Sequence, residues 1–366
     1  MLIARYLIKE TVKSQVAVFF ILMAIFITLR FVRVLGDASD GDIPAGLVLG
    51  FLTLYTPILA SLVLPISAYL GVMLAHGRLY VDSEMTVFRA CGVSEWYVAR
   101  VMLSLSVVVM AVTATITLYF APLAAESEYS LKEKASSEAG LTALIPGRFQ
   151  QTGNQQAVIF AHDIDAKNEI LQRVFLSQKQ TDDQEVRVVY AKSGEVQLDN
   201  DGTRHLILRD GIQYEGNQGQ ADYRVLTFDE YKIQISEEAE KTKRKKATAL
   251  STLALLEERN QENFAELQWR LAIPLSIPLL MLIAVPLAAV NPRNGRFGKM
   301  VPAIMLYLGY FLLLLASRRA LEDGKIPNEL ALWWVHFILF IIALAFLVRD
   351  RKIGSKLRAL ITRRES

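Results

Sequence analysis

The 366-residue sequence has one cysteine, Cys91, and only four histidines, the scattered His76, His162, His205 and His336. A lone cysteine excludes an intrachain disulfide. Without CxxC pairs or His/Cys spacing, no zinc site can be read. Enzyme signatures are missing as well: there is no GxxxxGK[ST] phosphate loop, no GxGxxG, no HExxH and no GxSxG. The chain is therefore expected to be no enzyme and not to hydrolyse ATP itself. The carboxylate pair Glu257-Glu258 sits in a charged stretch and reads as a solvated helix face. An excess of one charge is also lacking: 40 Lys and Arg face 37 Asp and Glu, a net +3. That balance is too mild for a nucleic-acid partner.

What the chain has instead is apolar sequence. Hydrophobic residues make up 52% of it, more than an ordinary soluble protein of this length carries, and they cluster. Six runs are long enough to read as membrane spans. They are Gln15–Gly36, about Leu47–Ala75, about Tyr97–Ala121 (stopped by Pro122), about Leu267–Val290, about Met300–Ala316 and about Leu330–Val348. Prolines inside spans two and four predict kinked helices packed against neighbours that satisfy the freed carbonyls. Met1–Ser14 reads as a short amphipathic helix in the interface or as a plain basic flank. No small-x-small site follows the first run, so it is expected to be retained rather than cleaved.

Basic residues set the orientation. The N-terminal flank, the loop with Arg293, Arg296 and Lys299, and the tail after span six all fall on one side of a six-span bundle. By the positive-inside rule that side is the cytoplasm. The region from Ala125 to Gln268 then faces outward. Its first part, Glu126–Glu138, and its last, Ser251–Gln268, read as helices. Between them lie eight short runs rich in β-branched and aromatic residues: Phe149–Thr152, Ala157–His162, Val174–Gln178, Val186–Ala191, Glu195–Leu198, His205–Leu208, Gln213–Glu215 and Tyr223–Ile235. Turn pairs such as Asp182-Asp183 and Asp210-Gly211 separate them. The pattern predicts an inserted all-β domain, a sandwich or open barrel. Alternating positions Val158/Phe160, Val186/Val188 and Leu206/Leu208 read as sandwich core or as an acyl-chain slot, with core favoured. The expected organisation is a membrane half over 1–124, a β domain over 125–266, a second membrane half over 267–350 and a basic tail over 351–366.

Two places carry chemistry. Arg30 and Arg33 lie inside the last turns of span one. A cation at mid-bilayer costs roughly 2.5–3.5 kcal/mol on insertion scales, so it needs a partner or a purpose. At spacing i, i+3 both leave one helix face, which suggests an anion that also lives in the membrane. The competing reading is that both snorkel outward and pair with Asp37, Asp40 or Asp42. Arg270, one turn after Glu266, is expected to make an i, i+4 pair, and Arg318 and Arg319 lie near the outer surface.

The second place is the cytoplasmic loop Gly77–Trp96. Asp82 or Ser83 is expected to cap a short helix, Gly92 to end it in the left-handed conformation, and Ser94 to cap the next. Glu84, Val87, Phe88 and Cys91 fall on one stripe. A partner's groove, the membrane surface or the protein's own spans would have to cover it.

Five stretches in order, RYLIKETVKSQ (Arg5–Gln15), FVRVLGDASDGDIPAGLVL (Phe31–Leu49), GRLYVDSEMTVFRACG (Gly77–Gly92), ELQWR (Glu266–Arg270) and VPLAAVNPRNGR (Val285–Arg296), resemble the LptF/LptG (YjgP/YjgQ) permease family of the lipopolysaccharide exporter. The resemblance covers essentially the whole chain. It implies a six-span helical membrane protein with a periplasmic β-jellyroll-like insert, in the inner membrane of a Gram-negative bacterium, paired with an LptG-like permease. It implies an LptB-like ATPase dimer that brings ATP and Mg, with no cofactor in this chain. Lipopolysaccharide would enter a cavity between the permeases and pass to β domains continuing into LptC- and LptA-like proteins. Asp82-Ser83-Glu84 matches the family's coupling helix, with Glu84 the leading contact to the ATPase. Arg30 and Arg33 match cavity-facing positions that would meet lipid A phosphates, with Arg270, Arg318 and Arg319 weaker candidates. The alternatives are a membrane scaffold, or an enzyme acting on lipid headgroups.

Overall fold

The computed structural model describes residues 2–39, 43–138, 147–151, 157–165, 170–179, 185–198, 204–217, 223–234, 247–258, 260–290, 295 and 297–349. The basic tail, the link 241–246 and the bases Arg293 and Arg296 lie outside them. The chain forms two compact units. One comprises Met1–Arg30, Leu52–Tyr129 and Lys245–Ser366, the other Phe31–Phe51 and Ser130–Arg244.

The first unit is helical. Helix α1, Leu2–Ser39, runs unbroken through 38 residues. A separate interfacial helix over Met1–Ser14 is thus not formed. The reason is packing: Leu7 and Thr11 are fully buried, so this stretch is core and continues the helix. Helix α2, Val48–Val81, passes through Pro57 and Pro65. It lies so close to α1 that a Cβ on Gly71 would stand 2.7 Å from the Gln15 Cα. A short helix α3, Glu84–Ala90, follows.

Helix α4, Glu95–Thr115, leads through a π turn at Ile116–Phe120 into α5, Ala121–Glu138. The expected stop at Pro122 does not occur. Proline has no N–H for the Leu118 carbonyl one turn earlier, but the Thr252 hydroxyl donates to that carbonyl at 2.6 Å. With the freed acceptor satisfied, the helix continues. After the β region come α6, Thr252–Glu257, α7, Gln261–Leu287, α8, Met300–Glu322, and α9, Trp333–Arg349.

Among the described residues, five helical stretches are long and apolar enough to cross a membrane, and the apolar helix Trp333–Val348 is shorter. Six apolar helices thus stand where six spans were expected. Their core joins Ala68, Tyr69 and Val72 of α2, Val98 and Met102 of α4, Ile277, Leu280 and Ile283 of α7, Leu314 of α8 and Leu339 of α9. An aromatic row runs through it: Tyr69 stacks on Tyr307 and Tyr307 on Phe311.

The second unit carries one antiparallel sheet in chain order: β1 Phe149–Gln151, β2 Ala157–Asp165, β3 Ile170–Lys179, β4 Glu185–Leu198, β5 Arg204–Asn217 and β6 Tyr223–Gln234. The eight expected runs merge into six longer strands. Asp210-Gly211 is not a turn: Gly211 pairs with Ala191 on one side and Phe228 on the other. What interrupts the strands is a crease. The opposed positions His162, Arg173, Lys192, Asp210 and Asp229 are skipped in the pairing of five neighbouring strands. Two of them, Arg173 (φ 51°) and Asp210 (φ 53°), are left-handed.

Inward alternation shifts by one residue across this line. In β3 the buried residues are Leu171, then Val174 and Leu176; in β5 they include Leu206 and Leu208, then Gly211 and Gln213. Residues from both sides of the line share one core: Ile159, Ala161, Val174 and Leu176 from one side, Leu171, Leu206 and Leu208 from the other. A meander creased into two facing layers thus builds the expected β domain without a crossover. The inner positions of β2 and β4 are Ile159/Ala161 and Val189/Ala191 rather than Val158/Phe160 and Val186/Val188. Leu206 and Leu208 are core as expected.

Candidate functional site

The short helix α3 is held from three directions. Its C-terminus is closed by Gly92 at φ 86°. The Gly92 N–H donates to the Arg89 carbonyl at 3.0 Å and the Val93 N–H to the Phe88 carbonyl at 2.9 Å, the paired bonds of a Schellman motif. Ser94 caps α4 as expected, its hydroxyl accepting from the Tyr97 N–H. The start of α3 differs from expectation. Ser83 stands at the N-cap but is left-handed, φ 62°, and its side chain makes no capping bond. That conformation is not the extended one a capping hydroxyl needs, and Asp82 is exposed.

The second hold is α2, where Arg89 donates to the Tyr80 hydroxyl at 2.9 Å, and the third is α1. The Tyr6 hydroxyl donates to Glu84 Oε2 at 2.7 Å, and the Tyr6 ring meets Phe88 edge-on with centroids 6.3 Å apart. Nearby, Arg78 of α2 pairs with Glu10 of α1 at 2.6 Å. The expected stripe therefore divides. Glu84 and Phe88 turn toward α1, Met85 enters the core, and Val87 and Cys91 are exposed. Met85 and Tyr6 were missed because the heptad-like spacing that picked out the stripe fixes a face and not the helix opposite it.

Toward the other end of α1, Arg30 is half-buried. Its guanidinium lies 3.9 Å from the centre of the Tyr55 ring and donates to Glu128 Oε1 at 3.2 Å. Its Nε is buried without a partner. The partner is thus a carboxylate on α5, not Asp37; Asp40 and Asp42 lie outside the described residues. A cation paired with a carboxylate and capped by an aromatic face is compatible with a membrane-embedded helix bundle. Neither Glu128 nor Tyr55 could be found from spacing, since both come from other spans. Arg33 is exposed.

A third cluster joins α7, α8 and the segment before α6. Arg270 donates to Glu266 Oε1 at 2.9 Å, to Thr252 Oγ1 at 3.0 Å and to the carbonyls of Ala247, Thr248 and Leu250 at 3.0–3.2 Å. Only 3% of its side chain is exposed. The i, i+4 pair with Glu266 is the one expected. The second oxygen of Glu266 accepts from Arg318 at 2.8 Å, and Arg318 also pairs with Glu322 and stands over the Trp269 ring. Arg319 is open to solvent and touches Glu322 and Asp323 at its margins. Asp323, beyond the span, is held below the usual carboxylate range by its hydrogen bond from Lys325.

The sequence model for "Lipopolysaccharide export system permease LptF/LptG" matches residues 5–349. The chain is 34% identical over 365 residues to proteins named "Lipopolysaccharide export system permease protein LptF" from Escherichia coli K12, Escherichia coli O157:H7 and Shigella flexneri. Each alignment covers 100% of this chain and 99% of the relative.

Proposed function

Because the chain belongs to the lipopolysaccharide export system permease family LptF/LptG, we propose that its outer cations meet the phosphates of lipopolysaccharide and that α3 takes up the movement of a separate ATPase. The chain is a permease subunit of the export transporter and works beside a second permease of the same system. In this reading the ATPase is an LptB-like dimer that binds ATP and Mg, the second permease is LptG-like, and the lipid continues to LptC- and LptA-like proteins. The termini and α3 lie in the cytoplasm and the creased sheet in the periplasm. The distribution of bases along the sequence supports that orientation.

The observation that carries the reading is the family match along the full chain, with α3 closed at its C-terminus by a glycine turn and presenting Val87 and Cys91 outward. A short, rigidly ended helix with an exposed apolar patch suits docking into a groove. On the outer side, a guanidinium recognises phosphate with two parallel hydrogen bonds, strongest where water is scarce. Arg33 and Arg319 are open for direct contact. Arg30 and Arg318 would exchange a carboxylate for a phosphate. Arg270 is enclosed by internal acceptors and is left out of the contact set.

The test is made in the reconstituted complex. Glu84→Ala is expected to weaken association with the ATPase, read by co-purification. Arg33→Glu is expected to lower crosslinking of lipopolysaccharide to α1 by about tenfold, the worth of one charge-assisted contact. Full association in the first variant and undiminished crosslinking in the second would overturn the two halves of the proposal separately.

A further inference from the structure

Two unrelated observations meet on α1. At one end Tyr6 grips α3 twice, by its hydroxyl on Glu84 and by its ring on Phe88. At the other end Arg30 is engaged by Tyr55 and Glu128. Between them the helix has no break and no proline. The 24 residues from Tyr6 to Arg30 span about 36 Å at 1.5 Å per residue, enough to cross a bilayer's hydrocarbon core of about 30 Å.

We infer that Tyr6 is the positioning residue of Glu84, and that α1 carries a displacement of α3 directly to Arg30. The inference rests on the reading of α3 as the segment that docks on the ATPase, and it deepens that reading by naming the path of the movement. The physical argument has three steps. A carboxylate on a seven-residue helix has several rotamers open to it, and an O–H donor at 2.7 Å selects one. The same side chain's ring contacts Phe88 one turn further on, so α3 is held to α1 along its length rather than at a point. The lower part of α1 is in turn keyed to α2 by the Arg78–Glu10 ion pair and by the close approach of Gly71 to Gln15. A push on α3 is thus shared between α1 and α2, and only α1 ends on a cation inside the membrane.

The readout is lipid extracted per ATP hydrolysed, at equal amounts of assembled complex of this chain with its permease partner and ATPase. Tyr6→Phe removes the donor and keeps the ring, so the fold is retained. It is expected to lower extraction per ATP about tenfold, the worth of a hydrogen bond to a charged group, while the ATPase still co-purifies. Adding Tyr6→Phe to Glu84→Ala is expected to cost no further coupling per assembled complex, because Glu84→Ala has already removed the same hydrogen bond. Additive losses, or a Tyr6→Phe variant with unchanged coupling, would overturn the inference. If Glu84→Ala abolishes ATPase association while Tyr6→Phe is neutral, the docking reading stands and the positioning role falls. If Glu84→Ala is itself without effect, both fall.

Discussion

Arg270 shows what a single residue does in this chain. Its guanidinium reaches five acceptors, and three of them are carbonyls of the short segment that precedes α6. Thr252, one of the other two, passes the chain of bonds on to the Leu118 carbonyl freed by Pro122. One buried cation thereby ties α7 to the π turn between α4 and α5. Breaking a buried ion pair by deleting one partner costs about 3–5 kcal/mol. Arg270→Ala is expected to destabilise the purified chain in detergent by that order, read as a lowered thermal unfolding midpoint. Arg270→Lys should restore little, because an ammonium lacks the planar fork that serves separated acceptors. A role in lipid binding predicts the opposite pattern: an unchanged midpoint and weaker lipid crosslinking. The i, i+4 pair with Glu266 was legible in the sequence. The carbonyls were not, because they arrive from a segment about 20 residues away whose approach no spacing encodes. Tyr6 escaped notice for the same reason.

At the scale of elements, hydrophobic periodicity located the apolar helices and the β insert, since both follow from which residues must leave water. Punctuation residues were less reliable. Pro122 reads as a stop, yet the helix passes it with help from Thr252. Asp210-Gly211 reads as a turn, yet it lies inside β5 at the crease. Both residues have the local preference expected of them, and tertiary partners decide what it becomes. The crease also explains why alternation along the strands was misread: it changes the inward parity midway. Arg173 sits there at φ 51°, a conformation that costs an ordinary side chain about 1–2 kcal/mol and that Asn tolerates better. Its side chain is exposed, so no packing is lost on replacement. Arg173→Asn is expected to stabilise the creased sheet by up to about 1 kcal/mol, seen as slower amide hydrogen exchange across β2–β4 in the full chain. Faster exchange there would mean that the arginine side chain stabilises the crease more than its backbone strains it.

Across the whole molecule, α1 is, among the described residues, the helix that joins a contact with α3 at its beginning to a half-buried cation near its end. Only continuity makes such a connection useful, because a kinked rod absorbs a push that a straight one transmits. Continuity can be broken without touching either end. Ile21 is 61% exposed and lies between Tyr6 and Arg30, so replacing it removes little packing. Proline there deletes the hydrogen bond to the Ala17 carbonyl and bends the helix, at about 3 kcal/mol or more. Ile21→Ala serves as the control that keeps the helix straight. In the reconstituted complex, Ile21→Pro is expected to leave the ATPase bound and turning over, while lipid extraction per ATP falls by about tenfold or more, the factor that 1.4 kcal/mol of lost coupling corresponds to. The alanine variant should match the parent. If the proline variant extracts lipid as efficiently as the parent, movement reaches the outer cations by another route, and α2, which shares the lower contacts of α1 through Arg78 and Gly71, becomes the element that carries it.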